Sequence, residues 1–135
     1  MTTDRGINDY DVLYFDDTDL SEEAEDRVIK QVASATDDLG VKVEVRNQAQ
    51  VHLWYPNRFK APYPQLMHTR DGIDRYLVAC TRIGIEVATG ALYAPDGLTD
   101  LTAGVLRVNP QFPDFDQFAA KALSYQERWP WLRIA

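Results

Sequence analysis

The stretch Asp9-Tyr10-Asp11-Val12-Leu13-Tyr14-Phe15 decides how this chain folds. Its β-branched and aromatic composition is that of a buried strand. Side chains alternate along a strand, so Asp9, Asp11, Leu13 and Phe15 share one face while Tyr10, Val12 and Tyr14 share the other. Two carboxylates therefore stand together on an otherwise apolar strand, where water solvates them poorly. Downstream, Asp19-x-x-Glu22 fits a capping box that opens a helix with the apolar stripe Ala24, Val28, Ile29, Val32 and Ala33, and Gly40 fits its stop. From Val41 to Tyr55 the odd positions are mostly apolar. The even ones are Lys42, Glu44, Arg46, Gln48, Gln50, His52 and Trp54. This alternation predicts a second strand, with a bend near Asn47-Gln48 because the run is too long for a straight one.

Beyond it, Pro56, Pro62 and Pro64 predict an irregular loop over 56–67. Ile73, Tyr76, Leu77 and Cys80 have the spacing of a short helix, and Thr81–Val87 and Ala91–Ala94 read as two strands. A helix is expected from Asp96-Gly97-Leu98-Thr99 to about Leu106. A last helix carries Phe115, Phe118, Ala119, Ala122 and Leu123 and closes at Trp129-Pro130, with Trp129 and Trp131 as core anchors. This order predicts one α+β or α/β domain over residues 1–135, built on a mixed sheet.

Composition narrows the function. The chain has 135 residues, 45% of them apolar, with three Trp, seven Tyr and five Phe, which excludes disorder for most of its length. A lone cysteine, Cys80, excludes a disulfide scaffold and a Cys-rich zinc module. No apolar run reaches membrane-spanning length, and the N-terminal residues lack the order of a signal peptide, so a cytoplasmic protein without a membrane partner is expected. The net charge of −7 has the wrong sign for holding a nucleic-acid backbone by bulk attraction. Residues 1–26 hold ten acids and one base, while the rest carries a net charge of +2.

Glu44, on the polar face of the second predicted strand, is a third carboxylate. If the strands are neighbours, Asp9, Asp11 and Glu44 converge and repel one another unless a divalent cation joins them. Mg²⁺ is commonly held by a few carboxylates together with substrate phosphates, an arrangement suited to phosphoryl or nucleotidyl transfer. The competing reading makes Asp9 and Asp11 strand-end residues facing water. Arg46 and Asn47 follow the third carboxylate and suit orienting a ribose or phosphate. Asn47 and Gln48 equally suit hydrogen bonding to backbone at the bend. An EF-hand beginning at Asp17 fails, since Glu22 stands where glycine is needed and Val28 where glutamate is. His52 and His68 lack zinc-spaced partners, which leaves His52 as a hydrogen-bonded strand histidine and Cys80 as a core thiol. Neither a P-loop nor a Rossmann glycine motif is present.

Five blocks, Gly6–Asp16, Glu44–Trp54, Tyr93–Leu101, Arg107–Pro110 and Trp129–Leu132, together resemble the bacterial predicted-nucleotidyltransferase family of the polymerase-β-like superfamily. The resemblance implies a mixed-sheet nucleotidyltransferase fold with Asp9 and Asp11 as its Asp-x-Asp pair and Glu44 as the third metal-binding and catalytic carboxylate. It also implies Mg²⁺ or Mn²⁺ as cofactor and a nucleoside triphosphate as donor, the acceptor being open. Members carry upstream of that pair a strand and helix joined by a Gly-Ser or Gly-Gly turn that holds the triphosphate. Only Met1–Arg5 precede Gly6 here, so the chain is expected to be N-terminally truncated. It should pair its open sheet edge in a homodimer and turn over slowly. The alternative is a non-catalytic remnant that binds a nucleotide or a protein partner.

Overall fold

The first aromatic run forms strand β1 (Tyr10–Tyr14), and helix α1 (Glu22–Thr36) returns the chain to strand β2 (Val43–Asn47). The computed structural model describes residues 6–135, so the expectation attached to Met1–Arg5, that no phosphate-holding turn precedes β1, lies outside the described residues. The chain divides into two compact units, Met1–Thr69 and Arg70–Ala135.

In the first unit β1 and β2 pair in parallel, with Tyr10 opposite Val43, Asp11 opposite Glu44 and Tyr14 opposite Asn47. Parallel neighbours need a crossover, and α1 supplies it. Its cap is Ser21, whose hydroxyl accepts from Ala24 N at 3.2 Å, rather than Asp19 as the capping box suggested. Asp19 instead accepts from Ser21 N at 3.0 Å and shapes the turn one step earlier. Glu22, Glu23 and Glu25 in the first turn complement the positive helix end. Gly40 adopts φ 66° and closes the 3₁₀ turn 37–39 that follows α1, a conformation costly for residues with a Cβ.

The alternating run 41–55 is a strand only as far as Asn47. A 3₁₀ turn over Gln48–Gln50 follows, then helix α2 (Val51–Phe59) with Pro56 inside it. Asn47 causes the switch: its Oδ1 accepts from Ala49 N at 3.1 Å and turns the backbone out of the ladder. The loop expected from residue 56 therefore begins after Lys60, whose φ of 54° ends the helix. His52, expected on a strand, lies on α2 with its Nδ1 buried and without a hydrogen-bond partner.

The second unit opens with α3 (Thr69–Asp74), shorter than the spacing through Cys80 suggested, because residues 79–81 form a separate 3₁₀ turn. Strands β3 (Gly84–Ile85) and β4 (Leu92–Tyr93) make a short antiparallel pair. Helix α4 (Thr99–Ala103) stops at Gly104, φ 71°, so Val105–Leu106 becomes strand β5 rather than helix. After α5 (Phe115–Arg128), strand β6 (Arg133–Ile134) pairs with β5 in parallel. The described strands thus form three two-stranded sheets, two parallel and one antiparallel, in the expected α+β fold. Val78, Cys80, Leu106, Phe118 and Ala122 form the core, and burial raises the Cys80 thiol pKa. Each large apolar side chain buried there contributes roughly 1.5–3 kcal/mol. Trp131, expected as an anchor, is 59% exposed and lies over Gly104, where a Cβ would come within 2.5 Å of its ring.

A buried polar cluster ties the second unit together. Arg82, 3% exposed, reaches Asp74 at 3.5 Å and Asp96 at 3.2 Å, and donates to Asn109 at 3.2 Å and to Gln111 at 2.8 Å. Asn109, fully buried, donates to the carbonyls of Asp74 and Tyr76. The Tyr93 hydroxyl donates to Asp74.

Candidate metal centre

The parallel register does what parity along two strands predicted. Asp11 and Glu44 are directly opposite, and Asp9 lies two residues before Asp11 on the same face. One carboxylate oxygen from each of Asp9, Asp11 and Glu44 lies within 4.8 Å of the other two. Asp9 and Glu44 are half-buried and Asp11 is exposed, so the cluster opens to water on one side. Three hard oxygen donors with an open side suit a divalent cation that keeps further positions for water or substrate oxygens. The donor set fits Mg²⁺ or Mn²⁺ and lacks the nitrogen or sulfur ligands that zinc favours.

Cations flank the triad along β2. Lys42 Nζ lies 3.2 Å from Glu44 Oε1. Arg46, one strand step past Glu44 and opposite Leu13, is half-buried and donates to Val45 O at 3.1 Å. Arg46 also lines a groove of about 560 Å³, together with Glu22, Ile29, Gln50, Trp54 and Arg58.

Asn47 is 1% exposed and joins the ends of the two strands. Its amide donates to Asp16 O at 2.8 Å, while its Oδ1 accepts from Asp16 N at 3.0 Å as well as from Ala49 N. Glu25 of α1 accepts from Asn47 N at 2.8 Å. The strand ends, the helix crossing between them and the 3₁₀ turn before α2 thus meet at one residue. Two of the loop acids, Asp16 and Asp19, are occupied locally. Thr18 donates through its hydroxyl and its N–H to Asp16, which lowers the Asp16 pKa below its ordinary 3.8. Hydrogen bonds from Ser21 do the same for Asp19.

The sequence reading missed Lys42, Gln50, Trp54 and Arg58. Arg46, Gln50, Trp54 and Arg58 recur at every fourth residue, a helical spacing that was available in the sequence beneath the apparent alternation. Asp96, read in the sequence only as the start of a helix, lies ahead of α4 and pairs with Arg82.

The Nucleotidyltransferase family model matches residues 1–134. No curated protein matches the chain. Among solved structures, an NMR structure that reveals a CCA-adding enzyme head domain is similar, with a TM-score of 0.65 and 22% sequence identity. The match covers 91% of this chain and 65% of that one, so the chain spans under two thirds of its length. At this identity the likeness is one of fold. No helix among the described residues is long and apolar enough to cross a membrane.

Proposed function

The chain belongs to a nucleotidyltransferase family, and from that membership we propose that it transfers a nucleotidyl group from a nucleoside triphosphate to an acceptor hydroxyl, using the Asp9, Asp11 and Glu44 triad. The observation that carries the reading is the convergence of three carboxylate oxygens within 4.8 Å on one face of a parallel strand pair. The Lys42 ammonium, 3.2 Å from Glu44, offsets part of their mutual repulsion, and a divalent cation joining the three would offset the rest.

In this reading Asp9, Asp11 and Glu44 hold Mg²⁺ or Mn²⁺. When bound, the ion supplies charge neutralisation for the triphosphate and eases loss of the acceptor hydroxyl's proton. Glu44 would take up that proton, while the two aspartates would hold the triphosphate end of the donor through the ion. Arg46 orients the ribose or a phosphate from the next position along β2. Asn47 contributes by fixing the strand end that carries both Arg46 and Glu44. The protein works in the cytoplasm, and the open outer edges of β1 and β2 are where a second copy pairs in a homodimer.

The test is transfer of label from each of the four α-labelled nucleoside triphosphates, with Mg²⁺ or Mn²⁺, to a small-molecule, RNA and protein acceptor panel. The expected result is metal-dependent labelling of one acceptor class with pyrophosphate release. Asp11→Asn should reduce it about 100-fold or more, the scale seen when a charge-stabilising group is removed from an active site. Labelling that persists in Asp9→Asn, Asp11→Asn and Glu44→Gln alike would contradict the proposal.

A further inference from the structure

We infer that Lys42 is the internal counter-ion of the acidic triad, a positioning residue that opposes binding of a bare divalent cation and favours the cation together with a polyphosphate. The inference rests on the reading of the triad given above. Lys42 stands one strand step before Glu44, on the same face, with Nζ 3.2 Å from Glu44 Oε1. Continuing the register by one residue places Lys42 across from Asp9, and Tyr10 N donates to Lys42 O at 2.8 Å at that step. The ammonium is therefore held at the edge of a cluster carrying three negative charges.

The pair is built to be displaced. The Lys42 side chain is 66% exposed and that of Glu44 38%, so water screens the attraction and the bond contributes little to folding. Lysine is a compact charge on a flexible four-carbon stem, able to leave one partner for another without backbone movement. When Glu44 gives its oxygen to a divalent cation, the Lys42 ammonium loses its partner and is repelled by the ion. A polyphosphate anion offers the displaced ammonium a new one. Lys42 thus makes the cation alone bind less tightly and the cation with polyphosphate bind more tightly, which couples the two ligands. Arg46 sits on the far side of Glu44 and lacks this link, since its guanidinium donates to Val45 O.

Two titrations of wild type, Lys42→Gln and Lys42→Arg test this. In the first, Mn²⁺ alone is followed by electron paramagnetic resonance; in the second, inorganic tripolyphosphate is added at saturating Mn²⁺ and followed by calorimetry. Lys42→Gln is expected to bind Mn²⁺ about three- to tenfold more tightly at low ionic strength, with the gain shrinking in high salt. The same variant is expected to bind tripolyphosphate about three- to tenfold more weakly, and Lys42→Arg to follow wild type. A damaged sheet would weaken both ligands, so opposite shifts separate this role from a structural one. Weaker or unchanged Mn²⁺ binding in Lys42→Gln overturns the inference while leaving the triad intact. Wild-type Mn²⁺ binding that survives Asp11→Asn instead refutes the triad reading, and the role of Lys42 with it.

Discussion

Asp11→Asn should make the metal-free protein more stable while destroying its cation site. The three carboxylate oxygens lie within 4.8 Å of one another. At that separation, with water on one side, each like-charge pair costs about 0.9 kcal/mol before salt screening. Neutralising Asp11 removes two such pairs, about 1.5–2 kcal/mol of repulsion at low ionic strength and about 1 kcal/mol or less at physiological salt, a gain reduced by the lost attraction to the Lys42 ammonium at the edge of the cluster. The asparagine keeps the shape of the side chain, so packing against β2 is unchanged. The assay is urea unfolding in a chelator and again in millimolar Mn²⁺. In chelator the variant should unfold at higher urea than wild type, and the difference should shrink as salt rises. In Mn²⁺ the order should reverse, because a ligand that binds the native state stabilises only the protein that can hold it. A variant less stable than wild type in chelator at low salt would refute the reasoning, since the carboxylates would then not be in mutual repulsion.

Asn47→Ala removes three side-chain hydrogen bonds at a buried site and should cost about 2–4 kcal/mol in urea unfolding, with Mn²⁺ affinity falling as the strand ends loosen. Arg82→Met leaves Asp74 and Asp96 without their shared cation; because both carboxylates keep some contact with water, the expected loss is about 2–4 kcal/mol, and Arg82→Lys should recover part of it. Tyr93 has its phenol pKa raised above 10.0, first by the hydrogen bond it donates to Asp74 and then by burial. The fold therefore favours the protonated phenol, so its contribution is full below pH 10 and is lost as pH rises through the folded value. The stability difference between wild type and Tyr93→Phe should accordingly narrow above pH 10.

The α+β class and the convergence of three carboxylates were both legible in the sequence. Asp9, Asp11 and Glu44 could be brought together from parity alone, because a two-residue period and a parallel pairing leave few choices for which side chains share a face. The strand to which Glu44 belongs was read too long for the opposite reason. Residues 48–55 satisfy a period of two in hydrophobicity and a period near four in Gln50, Trp54 and Arg58, and only the Asn47 side chain, bonding to Ala49 and to the backbone of Asp16, decides between them. The bond to Ala49 is local and fits the bend read at Asn47-Gln48, whereas the bonds to Asp16 need β1 alongside, which local pattern could not supply. In the second unit β3 and β4 fall inside the two strands read over Thr81–Val87 and Ala91–Ala94, while β5 and β6, of two residues each, carry too little periodicity to read. Arg82 finds Asp74, Asp96 and Gln111 across separations in sequence that no motif marks.

A crystal of the full chain grown with Mn²⁺ and a non-hydrolysable nucleoside triphosphate, with anomalous diffraction collected at the manganese edge, tests the central claim most directly. The account predicts an anomalous peak bounded by carboxylate oxygens of Asp9, Asp11 and Glu44, with phosphate oxygens completing the coordination and the Lys42 ammonium moved off Glu44. A peak among Asp16, Asp17 and Asp19 instead, or nucleotide bound with no metal at the triad, would contradict it.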